Sequence, residues 1–242
     1  MQNSAEQETR RDLAAAHRLA VRDGLNEGTW NHLSAMSPDD PEVMLITPGF
    51  THWSQVTAGN LAGVGADGEP VSGQARPTRA GWIIHYPVHR AQPAAQCLMH
   101  VHSPYVTALS MKQDVRLDTC SSQQAAQFHG DVAYYEVYDG LLDDEDEGRR
   151  MADVMGDRRV LMMRNHGAMV AGASVASAYV DLYQLERACM YQLLAMNGGG
   201  DMAHIPEDIA AAMSAQARQG TSDPHFGAMR RLLDAKEPDY AG

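Results

Sequence analysis

Two histidines separated by one residue, His100 and His102, stand at the end of an apolar segment at 96–102. This segment predicts a β-strand, in which successive side chains point to opposite faces of a sheet. His100 and His102 then share one face, where two imidazoles can bind the same metal ion. Because Ser103 and Pro104 follow directly and break the strand, we expect both histidines to lie at an open end of the sheet.

A third histidine, His166, follows a second apolar segment at 159–163 and lies between Asn165 and Gly167. Three imidazoles would form a ligand set with positions left open for water or substrate, which is the pattern of catalytic rather than structural zinc. The alternative interpretation is a set of hydrogen-bonded core histidines. The position of the histidines at predicted strand ends favours the metal site, and we expect one divalent ion per chain, with zinc preferred over manganese or iron.

The composition argues against several classes of function. A net charge of −12 offers no basic surface for a nucleic acid, and no apolar run reaches the ~20 residues of a membrane span. Three widely spaced cysteines indicate reduced thiols and a cytoplasmic protein. Neither of the two lysines, Lys112 and Lys236, is predicted to be buried, so Schiff-base chemistry is not expected. We therefore expect a small-molecule substrate.

Helical and strand patterns interleave along the chain. Hydrophobic periodicity and capping residues predict helices at 9–27, 57–62, 80–91, 103–112, 145–155 and 174–196. Short apolar runs predict strands at 31–37, 43–47, 69–74, 96–102, 132–135 and 159–163. Because hairpins mix with crossovers, we expect an α/β fold, a three-layer α/β/α sandwich around a central mixed and largely antiparallel sheet.

The chain divides at a run of three glycines that begins at Gly198. Residues 1–196 are predicted to form the main domain. Residues 197–242 are predicted to form a linker and a tail with two short helices within 206–235. The apolar residues of this tail need a surface to cover, so we expect it to pack on the same domain or on a neighbouring subunit.

Several separate segments resemble the class II aldolase/adducin family, and its adducin-like bacterial branch in particular. They occur in the family's order between about residue 9 and about residue 240, and include AQPAAQCLMHVHSPYVTALS and GDRRVLMMRNHGAMVAGASVASAYVDLYQLERAC. The resemblance implies the same α/β/α fold and a symmetric homo-oligomer, expected to be a tetramer with its active site at a subunit boundary. It also places the family's three metal ligands on His100, His102 and His166.

The sequence departs from the sugar-phosphate aldolases of that family at the positions that would bind phosphate and transfer protons. The aldolases' acid/base glutamate falls on Gly81, and their phosphate-binding serine, glycine and asparagine positions fall on Arg79, Ala80, Gly49, Phe50, Trp30 and Asn31. Only the asparagine is kept, and the two aromatic residues suggest a pocket with aromatic walls. We therefore predict that Asn31, Phe50 and Arg79 contact a substrate without phosphate. Arg79 would bind a carboxylate, unless it forms a surface salt bridge.

With the glutamate missing, other groups are needed for proton transfer. We predict His85, Tyr86 and His129 as catalytic candidates; the alternatives are core packing for His85 and a surface position for His129. Metal-bound water could also serve as the base. Glu186 is a further candidate, although a structural ion pair with Arg187 or Arg164 is the interpretation we favour for it.

Three functions are compatible with these residues. The first is a metal-dependent lyase, an aldolase or decarboxylase that acts on a non-phosphorylated oxo- or hydroxy-carboxylic acid through a metal-stabilised enediolate. The second is a non-haem Fe(II) oxygenase that performs oxidative decarboxylation of an aryl 2-oxo acid. The third is a non-catalytic adducin-like scaffold. Since adducin heads lack the metal histidines that this chain keeps, we favour an enzyme, and the lyase among the two enzymes.

Overall fold

A computed structural model describes residues 4–71, 75–138, 140, 144–219 and 224–242 of the chain. The strands are β1 (His32–Met36), β2 (Met44–Ile46), β3 (Ala62–Val64), β4 (Cys97–Val101), β5 (Val132–Tyr135), β6 (Val160–Met163) and β7 (Gly167–Gly172). The helices are α1 (Ala5–Arg22), α2 (Arg79–Ala91), α3 (Pro104–Ser110), α4 (Gln123–Ala126), α5 (Glu145–Met155), α6 (Val175–Gly198), α7 (Glu207–Arg218) and α8 (Pro224–Lys236).

The strands form one sheet with the order β3-β2-β1-β4-β7-β6-β5. Only β5 and β6 run parallel, and every other neighbouring pair of these strands is antiparallel. The predicted mixed and largely antiparallel sheet is therefore confirmed. Strand β4 lies at the centre of the sheet, with β1 on one side and β7 on the other.

Helices cover both faces of the sheet, which confirms the three-layer sandwich. Cys97, Met99 and Val101 of β4 pack into a core cluster with α1, α3 and α6. Leu98 points to the opposite face, where the cluster contains residues of α2 and α5. The alternation predicted for this strand thus places His100 on the α2 side of the sheet.

Helices α2 and α6 begin within one residue of their predicted starts, because their capping residues are strong, whereas α1 begins at Ala5 and not at residue 9. Ser174 and Ser177 form a reciprocal capping box at the start of α6. The Thr78 side chain accepts a hydrogen bond from the Gly81 N–H at the start of α2. In contrast, α1 ends at Arg22 rather than at residue 27, since Gly24 adopts a positive φ of 70°. Residues 23–27 therefore form a loop.

Two further predicted elements, at 57–62 and 69–74, differ from the structure, and one strand was not predicted. Residues 57–62 form a single turn closed by hydrogen bonds between Thr57 and Asn60, not a helix, because the chain enters β3 at residue 62. Of the strand predicted at 69–74, the described residues 69–71 form only an isolated bridge, between Pro70 and Val64, and residues 72–74 lie outside the described part. Strand β7 was not predicted, because its small residues between two glycines lack a strong strand pattern.

The tail packs on the chain's own main body. Phe226 and Leu233 of α8 are buried in the core cluster that contains α1 and α6. Arg230 of α8 forms ion pairs with Glu8 and Asp12 of α1. These contacts fit the first of the two places predicted for the tail, while the boundary at residue 197 stays a prediction. No helix in the described ranges combines the length and apolar character needed to cross a lipid bilayer.

Candidate metal and substrate site

The structure brings His100, His102 and His166 together at the end of β4. One ring nitrogen from each residue lies within 4.8 Å of the other two. The Nε2 atoms of His100 and His102 are 3.0 Å apart, and the His166 ring centroid lies 4.9 Å and 4.6 Å from those of His100 and His102. The imidazole rings of the three histidines therefore face a common point.

The turn after β6 carries His166 to this point by means of its two neighbours. Asn165 adopts a positive φ of 54°, which asparagine tolerates better than most residues. Gly167 has φ 152°, and a Cβ at this position would overlap the carbonyl oxygen of Val101. The backbone at residue 167 can therefore lie directly against the end of β4 only because residue 167 is glycine.

Hydrogen bonds to the Nδ1 atoms of His100 and His102 determine which ring nitrogen carries the proton. His100 Nδ1 donates to the Ala168 carbonyl oxygen at 3.1 Å, and His102 Nδ1 donates to Glu27 Oε2 at 2.7 Å. Both partners accept here, so the protons sit on Nδ1 and each Nε2 keeps a lone pair. Two lone pairs that face each other at 3.0 Å repel each other unless a cation lies between them. The donor set thus fits a divalent metal held by imidazole nitrogens.

Burial keeps two of the ligand histidines, His100 and His166, in the neutral form that binds metals. Desolvation lowers the pKa of His166 to about 4, with His102 as a smaller cause. Desolvation also lowers the pKa of His100 well below its ordinary value, and the other two histidines add to this effect. Neutral imidazole is the form that a metal requires, so little work is needed to deprotonate these ligands near neutral pH.

Glu186 stabilises the backbone that directly follows strand β4. Its carboxylate accepts hydrogen bonds from Ser103 Oγ at 2.7 Å and from the backbone N–H groups of Tyr105 and Val106 at 2.9 Å each. The side chain therefore caps α3 directly after His102, at the end where helices favour negative charge. Our favoured prediction for Glu186, an ion pair with Arg187 or Arg164, is wrong because backbone donors occupy its oxygens.

A cavity of about 620 Å³ opens in front of the histidines. Three aromatic side chains on its wall, Trp30, Phe50 and Tyr138, are 68%, 80% and 55% exposed. No arginine or lysine of the described residues lines it. Phe50 has a positive φ of 57°, a strained conformation for a bulky residue and one that often accompanies a functional site.

His32 is a fourth histidine of this cavity, and we did not predict it as a site residue. It pairs with His100 across β1 and β4, and the two rings stack with centroids 5.6 Å apart. Its ring also fills the space beside Gly81, where an added Cβ would lie 3.1 Å from His32 Cδ2. The space beside Gly81 of α2, which has no side chain, is therefore filled by the His32 ring of β1.

His85 lies behind His32 in a buried chain of hydrogen bonds. His89 Nδ1 donates to the Ala95 carbonyl oxygen at 2.7 Å, so Ser34 Oγ donates to His89 Nε2 at 2.8 Å and accepts from His85 Nδ1 at 2.6 Å. This order leaves His85 Nε2 as a bare, buried acceptor without a partner. Burial lowers the pKa of His85 well below its ordinary value, with His32 and His89 as smaller causes.

The other predicted catalytic residues lie outside the lining of the cavity. The Tyr86 hydroxyl donates to the Glu42 carbonyl oxygen at 3.3 Å, and its ring stacks with Trp82. Burial raises the pKa of Tyr86, with Glu42 as a smaller cause. His129 Nδ1 lies 3.0 Å from the hydroxyl of Thr119. Their roles in proton transfer stay predictions.

The three predicted substrate residues differ in their placement. Phe50 lines the cavity. Asn31 is buried, and its Oδ1 accepts a hydrogen bond from the Glu27 N–H at 2.7 Å, which places it in the loop that holds Glu27. Arg79 is exposed and is not a lining residue, although Thr78 and Ala80 on either side of it are. Their contacts with substrate stay predictions.

Several lining residues escaped prediction, among them Glu27, His32, Thr107 and Tyr138. For Glu27 the signal was present, since Asp23-Gly24 is a helix stop and places Glu27 in the following loop. His32 could have been suspected only from the pairing of β1 with β4. No residue pattern identified Thr107, although it lies in the helix that directly follows His102, or Tyr138, which follows strand β5.

The fold has close counterparts in known proteins. Residues 11–193 match the family model for the Class II Aldolase and Adducin N-terminal domain. The chain is 31% identical to an aldolase class 2 protein of Pseudomonas aeruginosa, over 98% of this chain and 93% of that one. It is 35% identical to an adducin-related protein of Schizosaccharomyces pombe, over 96% and 76% respectively. An aldolase II superfamily protein from Pseudomonas syringae has a crystal structure that superposes with a TM-score of 0.89 at 32% identity, covering 100% of this chain and 98% of the other.

Proposed function

The chain belongs to the class II aldolase and adducin family, and from this premise we propose that it is a metal-dependent lyase. It would act as an aldolase or decarboxylase on a non-phosphorylated oxo- or hydroxy-carboxylic acid. One observation carries the proposal: the Nε2 atoms of His100 and His102 are 3.0 Å apart, and a ring nitrogen of His166 lies close to both. A non-catalytic scaffold would have no need for three imidazoles grouped beside an open cavity.

The metal would be held by His100, His102 and His166, with zinc as the first choice and manganese or iron as the alternatives. When bound, it supplies a Lewis acid that stabilises negative charge on substrate oxygens during bond cleavage. Glu27 and the Ala168 carbonyl group keep the Nδ1 protons in place and so hold two ligand rings in one orientation. Glu186 fixes the backbone that follows His102.

The cavity wall supports a substrate without phosphate and with an apolar group. A phosphate dianion requires cationic groups or several backbone donors, and the described lining contains neither an arginine nor a lysine. Trp30, Phe50 and Tyr138 instead offer aromatic surface, on which an aryl or branched alkyl group can pack. Arg79 would reach a substrate carboxylate only by turning toward the cavity from its exposed position.

We also propose that the protein is a homo-oligomer, with a tetramer as the expected form. Within the part of the chain that the structure describes, Tyr191, Leu194, Ile209 and Leu232 of the last three helices are 42–53% exposed. Burial of such side chains between subunits would be favourable. Light scattering at micromolar protein tests this proposal, and a monomeric mass would contradict it.

The proposed reaction is tested on protein purified without a chelator. We expect zinc or manganese, with turnover of aryl or alkyl 2-oxo acids or their hydroxy-acid adducts under anaerobic conditions. Iron together with oxygen consumption would instead establish the oxygenase, because the same three imidazoles can bind Fe(II). A protein with one bound metal and no turnover of any such acid, aerobic or anaerobic, would contradict both enzyme functions.

A further inference from the structure

Unpaired buried polar atoms are concentrated around the cavity. In the described residues, buried side-chain atoms without a hydrogen-bond partner occur on Asn31, His32, His85, Gln92 and Thr107. Two of these residues, His32 and Thr107, line the cavity in front of the metal ligands. A buried polar atom without a partner is costly in the folded protein, and such atoms in native proteins usually await a water or a ligand.

His32 is held rigidly in its position. Its ring stacks on His100, meets the edge of the His85 ring at a centroid distance of 5.7 Å, and borders Gly81. The residue is only 6% exposed, and its Nδ1 has no hydrogen-bond partner. A side chain that is packed on three sides but left unpaired is preorganised to bind a group that arrives in the cavity.

Thr107 also departs from the usual behaviour of its residue type. A threonine inside a helix can donate to the carbonyl group four residues earlier, as Thr9 of α1 does to Ala5 at 3.1 Å. Thr107 is in α3, and its backbone N–H bonds the Ser103 carbonyl oxygen at 2.9 Å, but its hydroxyl makes no such bond. Thr107 lines the cavity, and its hydroxyl group is left without a hydrogen-bond partner.

We propose that His32 and Thr107 form a polar subsite that binds a substrate oxygen beside those that contact the metal. This inference rests on the proposed function and specifies its substrate: an acid with a further hydroxyl, carbonyl or carboxylate oxygen next to the metal-binding group. A ring nitrogen and a hydroxyl can each donate one hydrogen bond to such an oxygen. His32 and Thr107 would thus orient the substrate, while the aromatic wall binds its apolar part.

The test measures binding and thermal stability of the zinc-loaded protein. Calorimetry with phenylpyruvate and 4-methyl-2-oxovalerate compares the wild type with Thr107→Val, Thr107→Ser and His32→Leu. We expect Thr107→Val and His32→Leu each to raise the Kd about tenfold, as the loss of one hydrogen bond does, and Thr107→Ser to keep it within about threefold. Thr9→Val and His52→Leu alter the same residue types outside the cavity lining and should leave the Kd unchanged.

Stability separates substrate binding from a structural role. Since the Thr107 hydroxyl has no partner, Thr107→Val should melt at the wild-type temperature or above it. His32→Leu should retain one equivalent of zinc, because His32 is not one of the three metal ligands. If the wild type binds both acids and the two variants bind them equally well, the subsite is refuted while the proposed function stands. If the wild type binds neither acid, the proposed substrate class fails and the subsite fails with it.

Discussion

Glu27 and His102 are joined by a hydrogen bond of 2.7 Å, although 75 residues separate them in the chain. The carboxylate comes from the loop after α1, and the imidazole stands at the end of β4. Because the carboxylate accepts a hydrogen bond from Nδ1–H, it directs the Nε2 lone pair of His102 toward His100. A partner of this kind sets the tautomer, the orientation and the basicity of a metal-binding histidine.

Replacement of that carboxylate should therefore weaken metal binding. Glu27→Gln keeps the size of the side chain but can present a donor to the ring, and we expect the zinc Kd to rise about 10- to 100-fold. Competition with a chromophoric chelator measures this change. Glu42→Gln is a suitable control, since Glu42 pairs with Arg90 on the surface and does not line the cavity. Equal zinc affinities of Glu27→Gln and wild type would show that Glu27 does not orient His102.

Gly167→Ala should destabilise the protein even without metal. The new Cβ would overlap the Val101 carbonyl oxygen, and the φ of 152° is unfavourable for alanine. We expect the free energy of unfolding in urea to fall by about 2–4 kcal/mol. The contrasting variant is Gly198→Ala at the end of α6, where a Cβ would meet nothing within 4 Å. That variant should be neutral or slightly stabilising.

Changes at Gly81 should depend on His32. A side chain at residue 81 would meet the His32 ring at 3.1–3.2 Å, so Gly81→Glu should lower the melting temperature and give no cleavage of sugar phosphates. His32→Gly removes the obstructing ring, and the double variant should recover part of the stability lost by Gly81→Glu. Strict additivity of the two effects in urea unfolding, or efficient cleavage of fuculose 1-phosphate by the wild type, would contradict this view of the pocket.

The stability of the metal-free protein should fall in mild acid because of buried neutral histidines. Burial lowers the pKa of His17 to about 4, with Arg18 as a smaller cause, whereas an unfolded histidine titrates near 6.5. The unfolded chain therefore takes up the proton first as the pH falls. The contribution of His17 is complete above about pH 6.5 and is lost progressively as the pH falls toward 4.

His17→Gln tests this dependence on one residue. Across that range, the slope of unfolding free energy against pH should decrease by up to about 1.4 kcal/mol per pH unit, the amount for one proton. Urea titrations at half-unit steps of pH measure it, and His52→Gln, at a less buried position, serves as the control. An unchanged slope in His17→Gln would show that His17 is not held neutral in the folded protein.

Much of the fold follows from local patterns. Helices α2, α5 and α6 and strands β4, β5 and β6 lie within two residues of their predicted bounds, because caps and apolar runs mark them clearly. Strand β7 escaped because Gly167–Gly172 contains two glycines and two alanines around Met169 and Val170, and its strand conformation comes from pairing with β4 and β6. The end of α1 was placed too late, since the helical pattern was followed past Gly24.

The site was only partly accessible from sequence. The convergence of His100, His102 and His166 could be anticipated, because each lies at or near the end of an apolar strand and the ends of neighbouring strands lie at the same edge of a sheet. Glu27 and His32 reach the cavity through contacts with high sequence separation, whereas Thr107 lies in the helix that directly follows His102. The helix stop before Glu27 was a local signal, but nothing in the local sequence of His32 or Thr107 distinguishes them from strand or helix residues of the same types.

The central claim is that His100, His102 and His166 bind one divalent metal ion with positions open to substrate. X-ray absorption spectroscopy at the metal edge, on protein purified without a chelator, tests it most directly. We expect one equivalent of metal per chain, three imidazole nitrogens at about 2.0–2.1 Å if the metal is zinc, and loss of the metal in His166→Ala. A stoichiometric metal that persists in His166→Ala, or a wild-type protein that binds no divalent metal at micromolar concentration, would contradict the claim.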